Sequence, residues 1–358
     1  MQEFKYYPKV SFIMGTLNAE RTLRECLASI RMQNYPQEKI EIVLADGGST
    51  DKTLKIAKKY GADVVENKLV TSESGKAVAL KASTGELICS IDSDNILPTK
   101  SWLKKMVKPL VKNPSYIGSE AIRFTYRKED GYIDRYCALI GMNDPLCMWL
   151  GTYDRINTLT GKWTGLPVKY KKKNGYIEVL LEHGNIPTIG ANGFMLRKSI
   201  FEENSALVGE YLFDVDLLEM ITANKGPQKF AKVYVGVIHL YCGSSLKRFS
   251  KKQLRRVKDY LYRRNVSDVF ITNTYNDRSY TYGQGSALAL FKNILRFAIE
   301  TVLVFPLLIQ SIRGYLKVKD KAWFAHIILC WLTLLMYMYG TVQSFFSRKE
   351  LSRENWKQ

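Results

Sequence analysis

Leu87-Ile88-Cys89-Ser90-Ile91-Asp92-Ser93-Asp94 is an apolar run that ends on two carboxylates one residue apart. A short uncharged run of this kind reads as a fully buried strand, and the acids fall where the strand gives way to a loop. Hard divalent cations take oxygen ligands, and Mg²⁺ usually keeps several waters while resting on one or two carboxylates and substrate phosphates. Asp92 and Asp94 are therefore a candidate grip for Mg²⁺ or Mn²⁺ carrying a diphosphate. Alone, the pair is equally well a solvated turn, because aspartates favour loops. Its neighbours decide.

Upstream, Val10 to Met14 reads as a buried strand, followed by Gly15-Thr16-Leu17-Asn18-Ala19-Glu20 and a helical pattern from Thr22 to Met32. Ile40 to Ala45 is a second strand and runs into Asp46-Gly47-Gly48-Ser49-Thr50-Asp51, where glycines permit a tight turn and Ser49 or Thr50 can cap the next helix. Asp63 to Glu66 is a third strand and Ser74 to Ala82 a helix. Alternating strands and helices of this length imply a mostly parallel α/β sheet. Ligands on such sheets sit beyond the carboxyl ends of the strands, and Asn18, Asp46 and Asp92 all fall at those ends.

Thr16 to Glu20, Asp46 to Asp51, Asp92-Ser93-Asp94 and Gly190-Ala191-Asn192-Gly193-Phe194 occur in the order and spacing of the family 2 inverting glycosyltransferases, which the first 245 or so residues resemble. Four ordered motifs are far more specific than any one of them. The resemblance implies a GT-A fold, a Rossmann-like and mostly parallel sheet that binds a nucleoside diphosphate sugar. It places Thr16, Asn18, Glu20 and Asp46 at base and ribose, with Asp51 capping its helix. Lys76 stands near the diphosphate, or is a solvated helix lysine. Asp92 is the ribose or metal-side carboxylate and Asp94 the direct metal ligand.

The family carries a Glu-Asp pair, then x-Asp-Leu, whose first Asp deprotonates the acceptor. Here the stretch is Phe213-Asp214-Val215-Asp216-Leu217, so Asp214 matches the base although Phe213 departs from Glu. Asp216 is the alternative, and either can be an ordinary acid at a helix N-terminus. Asn192 and Gly193 line the acceptor side, or form a turn before the strand Phe194 to Leu196. His239 follows the strand Lys232 to Ile238 and can reach the same crevice, beside the metal or diphosphate, or serve as a structural histidine. His183 and His326 have no such setting.

A chain of 358 residues fits one large catalytic domain with an appendage, at about 100 to 200 residues per domain. The division expected is a catalytic domain over 1–245, a basic helix and connector over 246–285, and a membrane-associated region over 286–358. The formal charge of +19 attracts anionic lipid, nucleic acid or phosphorylated substrates alike, so its distribution matters. It clusters in Leu246 to Asn265, where nine cations face one acid and Leu246, Phe249, Val257, Tyr260 and Leu261 recur at near-helical spacing. This predicts a basic amphipathic helix on a membrane surface, each cation near an anionic leaflet adding about 1 kcal/mol, or else a helix packed on the core. Lys247 and Arg248 can instead hold the donor diphosphate or an acceptor phosphate.

Ala322 to Ser347 contains no Asp, Glu, Lys or Arg, and a spanning helix needs about 20 such residues. Ala287 to Ile312 is apolar but broken by Lys292, Arg296 and Glu300, which predicts an interfacial first half. The basic linker Arg313 to Lys321 and the tail with Arg348 and Lys349 both favour the cytoplasm, which a re-entrant or interfacial hairpin reconciles; two crossings, or helices packed on a partner, are the alternatives. The six cysteines show no ligand or disulfide spacing, and the chain opens without a secretory signal, so a cytosolic catalytic domain on the membrane's cytoplasmic face is expected. Thr160 to Lys173, rich in glycine and lysine, reads as a mobile loop near the acceptor entrance.

The expected partners are a UDP- or GDP-linked sugar, a lipid-linked acceptor and the membrane. Nucleic acid is not among them, because the basic run adjoins apolar segments rather than a nucleic-acid module. A nucleotidyltransferase should carry a Gly-rich triphosphate loop after the first strand, and Gly15-Thr16-Leu17-Asn18 is not one.

Overall fold

The computed structural model describes residues 6–190, 192–205, 209, 212, 214–265 and 287–346. Ala191, Phe213, the connector over 266–285 and the basic tail with Arg348 and Lys349 lie outside the described residues, as do the side chains of Tyr260, Arg263 and Arg264. The predicted alternation is present. Val10–Thr16 (β1) leads to Glu20–Arg31 (α1), Ile40–Asp46 (β2) to Thr53–Lys59 (α2), Asp63–Glu66 (β3) to Ser72–Ala82 (α3), and Leu87–Ile91 (β4) through Asn95–Ile96 (β5) to Trp102–Lys112 (α4). Tyr116–Phe124 (β6), Tyr132–Ile140 (α5), Leu146–Leu150 (α6), Lys169–Lys173 (β7), Tyr176–Leu181 (β8) and Asn192–Arg197 (β9) follow. Lys198–Glu203 (α7), Asp214–Lys225 (α8), Gln228–His239 (β10), Leu246–Asn265 (α9), Ala287–Leu303 (α10), Phe305–Lys317 (α11) and Ala325–Phe346 (α12) complete the order.

The strands form one 10-stranded sheet, ordered β3-β2-β1-β4-β9-β6-β10-β8-β7, with β5 paired to β10. β1 to β4 are mutually parallel, β9 runs against both β4 and β6, and β10 is parallel to β6. This topology gathers the site. The ends of β1, β2, β4 and β10 reach one edge of the sheet, and the start of β9 returns to it, Asn192 pairing with Ile91. Side chains alternate between faces along a strand. Phe12 and Met14 enter one buried cluster with α1, α2 and α4, and Ile13 enters another with α3, α7 and α8. Burial on both faces explains why these strands read as uncharged runs.

The structure corrects the reading of Thr160 to Lys173. Trp163, Leu166 and Val168 are buried, and Lys169–Lys173 is an exposed edge strand paired with β8. Its lysines mark a sheet edge guarded against pairing with other chains, not a loop at the acceptor entrance.

A second correction concerns α9. Phe249, Gln253 and Val257 are buried, and a Cβ on Gly340 of α12 would come within 2.5 Å of Val257. The inner side of the basic helix is thus committed to the protein body and to α12, with Lys252 and Arg256 turned inward to Asp94 and Asp144 and Leu246, Lys247, Arg248 and Lys251 exposed. α10 and α11 meet at 85°, with Val304 at φ 60° between them. Leu288, Phe291, Leu303, Phe305 and Leu316 are exposed along this bent pair, and Met338, Phe345 and Phe346 along α12. Among the described residues, the helical stretch Lys321–Phe346 is long and apolar enough to cross a membrane.

Candidate active site

Two loops at the strand ends are laced together. The Asp46 carboxylate accepts from Thr16 Oγ1 at 3.3 Å, Gly48 N at 2.9 Å, Ser49 N at 2.7 Å and Ser49 Oγ at 2.5 Å. Asn18 sits at φ 48°, a left-handed conformation that asparagine tolerates. There its N–H donates to Ser49 Oγ at 2.9 Å while its Oδ1 accepts from Thr50 N at 2.9 Å. Glu20, exposed, accepts from Lys52 N at 3.0 Å. Asp51 meets the start of α2, accepting from Thr53 N at 2.9 Å, whereas Ser49 serves Asp46 and Asn18 instead of capping. Of the four residues expected at base and ribose, Thr16 and Asp46 bond directly, Asn18 joins them through Ser49, and Glu20 ties α1 to the same loop through Asp51 and Lys52.

The acids line the floor beside these loops. Lys76, buried on α3, lies 3.3 Å from Oδ2 of Asp214, the first residue of α8, also buried. Burial works against the ammonium charge of Lys76, but Asp214, Asp92 and Glu73 more than restore it. Burial raises the carboxyl of Asp214 above its ordinary range despite Lys76. Its Oδ1 is buried with no hydrogen-bond partner among the described residues. Asp92 is likewise raised by burial, with Lys76 opposing and Asp94 reinforcing the shift. Asp216 is buried in the first turn of the same helix.

Asp94 is treated differently. Burial disfavours its charge, but His239 and Lys252 hold its carboxyl far below the ordinary range. His239 Nε2 is 3.4 Å from one oxygen and Lys252 Nζ 3.6 Å from the other. Lys252 also donates to the Tyr241 carbonyl at 2.9 Å and lies 4.0 Å from that ring. His239 Nδ1 is 3.2 Å from Asn143 Nδ2. The predicted Lys247 and Arg248 are exposed on the first turn of α9. The carboxylate is met by Lys252, one turn further on, which the sequence showed only as one cation among nine.

The Asp94 carboxylate suits Mn²⁺ or Mg²⁺, and the imidazole 3.4 Å from it adds a nitrogen donor that favours a transition metal such as Mn²⁺. Among the described residues no group of three or more His, Cys, Asp or Glu forms a closed cage. An open grip of this kind fits a cation whose remaining positions go to phosphate and water.

On the far side, Asn192 Oδ1 accepts from Asn95 at 3.0 Å, and Gly193 at φ 80° has no room for a Cβ, which would lie 2.9 Å from Trp102. Below lies a second ionic cluster that the sequence reading missed. Glu120 is 2.7 Å from Arg155 and 2.5 Å from Lys232, Asp154 is 3.1 Å from Arg155, and Arg155 donates to the Asn192 carbonyl at 3.0 Å. Its members come from β6, β10 and the segment after α6, so no local motif announces it. His183 pairs with Glu219 at 3.0 Å and His326 with Tyr136 at 2.6 Å, both away from the crevice acids. All six cysteines are free.

Residues 11–204 match the family described as Glycosyl transferase family 2. A putative glycosyltransferase of Bacillus subtilis, EpsE, is 40% identical over 117 residues, 30% of this chain and 41% of EpsE. A dolichyl N-acetyl-alpha-D-glucosaminyl phosphate 3-beta-D-2,3-diacetamido-2,3-dideoxy-beta-D-glucuronosyltransferase of Methanococcus voltae is 22% identical over 359 residues, 92% of this chain and 95% of that protein. Several curated relatives, EpsE included, are matched over less than half their own length. Among solved structures, the mannosyltransferase PcManGT from Pyrobaculum calidifontis, in complex with GDP-Man and Mn²⁺, superposes with a TM-score of 0.50 at 16% identity, covering 97% of this chain and 89% of that one.

Proposed function

The chain belongs to glycosyl transferase family 2 and has the GT-A fold, and from that premise we propose that it is a metal-dependent, inverting hexosyltransferase. In this reading it moves a sugar from a UDP- or GDP-linked donor to a lipid-linked acceptor held at a membrane. One observation carries the proposal. A buried carboxylate with an unpartnered oxygen, Asp214, is joined through Lys76 to the Asp92 and Asp94 pair at a single crevice.

Each residue then has a task. Thr16, Asn18, Glu20 and Asp46 shape the pocket for base and ribose, their mutual hydrogen bonds fixing the loops before the donor arrives. Asp94 and His239, with Asp92 alongside, would hold the cation, which when bound neutralises charge on the leaving diphosphate. Lys76 and Lys252 direct positive charge at the same phosphates, and the exposed Lys247 and Arg248 are available to a phosphate on the acceptor. Asp214 takes the proton of the attacking hydroxyl, a role worth about 10² to 10⁴ in rate. Its raised proton affinity suits a base, and Asp216 is the alternative. Asn192 and Gly193 border the acceptor side, and a single displacement inverts the anomeric centre.

Membrane association rests on the C-terminal helices. Residues 1–245 act as the transferase unit, α9 and the connector join it to the rest, and α10 to α12 hold it at the cytoplasmic face. The dolichyl-phosphate enzyme of M. voltae, similar over nearly its whole length, supports a polyprenyl-phosphate or -diphosphate acceptor. The test is a panel of UDP- and GDP-sugars with Mn²⁺ or Mg²⁺, scored by donor hydrolysis, then by transfer to lipid extracts. Metal-dependent turnover of one donor is expected. No turnover of any donor, together with steeply salt-dependent duplex binding, overturns the reading.

A further inference from the structure

We propose that Asn143 is the positioning residue for His239, its side-chain amide selecting which ring nitrogen carries the proton. This rests on the reading of His239 as a cation ligand. Asn143 stands in the turn after α5, 96 residues from His239 in sequence, and its Nδ2 lies 3.2 Å from His239 Nδ1. An amide nitrogen only donates, so in this arrangement Nδ1 accepts and the ring proton sits on Nε2, facing Asp94 at 3.4 Å. Such an Nε2 has no lone pair to offer a cation.

Turning the amide over reverses this. Oδ1 then accepts a proton from Nδ1, and the Nε2 lone pair is aimed at the space beside Asp94. The two forms differ only in which ring nitrogen bears the proton. Asn143 Oδ1 is buried and has no hydrogen-bond partner among the described residues. The far end of the amide therefore has no bond among the described residues that locks one orientation, so either end can face Nδ1, and the end that does sets the position of the ring proton. The main chain stays put as the amide turns. The Asn143 carbonyl accepts from Gln253 Nε2 at 2.8 Å, and the neighbouring Asp144 accepts from Leu146 N at 3.0 Å and from Tyr337 of α12 at 2.5 Å. Partners of this kind typically change metal affinity by about 10- to 100-fold when removed.

The test titrates Mn²⁺ alone into the full chain by calorimetry, comparing the wild type with His239→Ala, Asn143→Leu and Asn143→Asp. Asn143→Leu should weaken binding by about 10- to 100-fold. Asn143→Asp, which can only accept from Nδ1, should restore wild-type affinity or exceed it. Wild-type affinity in Asn143→Leu alongside a weakened His239→Ala overturns the proposal. If His239→Ala itself binds Mn²⁺ normally, the underlying ligand reading fails instead. Should Asn143→Leu not fold, ¹⁵N spectra of the His239 ring in wild-type protein decide. The proton should move from Nε2 to Nδ1 on saturation with Mg²⁺, and a proton that stays on Nε2 refutes the proposal.

Discussion

The protein buries two ionic clusters a few residues apart, and they are built on opposite principles. Around Glu120 both carboxylate oxygens are taken, by Arg155 at 2.7 Å and Lys232 at 2.5 Å, and all three side chains are fully enclosed. Around Asp94 and Asp214 the contacts are longer, from 3.3 to 3.6 Å. Among the described residues each cluster keeps a buried carboxylate oxygen with no hydrogen-bond partner, Asp154 Oδ2 in the first and Asp214 Oδ1 in the second, so they differ in the tightness of their ion pairs. A low local dielectric makes a satisfied network stiff and an incompletely satisfied one costly. The first cluster fastens β6 to β10 and holds the Asn192 carbonyl. The second keeps charge in place for a ligand to complete. Tightness separates scaffold from site more clearly than burial does, since both clusters are buried.

The contrast breaks most sharply at Asp94. Asp94→Ala should abolish metal-dependent donor binding, followed by calorimetry with Mn²⁺ and the nucleotide sugar, while thermal unfolding stays near that of the wild type. The tight cluster should respond in the opposite sense. Glu120→Ala leaves two buried cations with only the Asp154 carboxylate between them and should cost about 3 to 5 kcal/mol in urea unfolding. A loss of about 1 kcal/mol or less, the worth of an exposed pair, would erase the distinction.

Acidity sharpens the comparison. Burial pushes Glu120 up to about 7 against the pull of Arg155 and Lys232. In the unfolded chain it returns to about 4.3. Between those values the folded state binds more protons, so this group's contribution to stability is complete below the lower value and is lost as pH rises through the upper one. Glu120→Ala should flatten that part of the pH–stability curve; an unchanged slope would reject the assignment. In the open cluster Lys76 restrains the upward shift of Asp214. Lys76→Met should therefore move the acid limb of the rate profile to higher pH, and a stationary limb would separate Lys76 from the base. Smallest of all, deletion of the residues after Gly285 should leave donor hydrolysis by the soluble fraction intact while releasing the protein from membranes. Persistent sedimentation with vesicles would count against the C-terminal anchor.

The fold was legible because its parallel strands are buried on both faces, which writes them as uncharged runs ending at Thr16, Asp46 and Asp92. The same edge collects His239, since β10 runs parallel to β6 and its end points the same way. Residues brought in by distant segments were not legible. Lys252 looked like one more cation in a basic helix, and Asn143 had no motif at all. Arg155 belongs to no motif and Lys232 reads only as the start of a strand, and the topology brings both under the Asn192 turn. Lysines misled in the other direction at Lys169–Lys173, where an edge strand resembles a loop in composition. Helix α9 misled too, because an apolar stripe under basic residues describes a helix against a bilayer and one against α12 equally well.

The assignment of the open cluster as the reacting one stands most directly on Asp214. Measured side by side with the wild type, Asp214→Asn should bind the nucleotide sugar with unchanged affinity and lose about 10² to 10⁴ in the rate of sugar transfer. Full turnover in that variant would contradict the account.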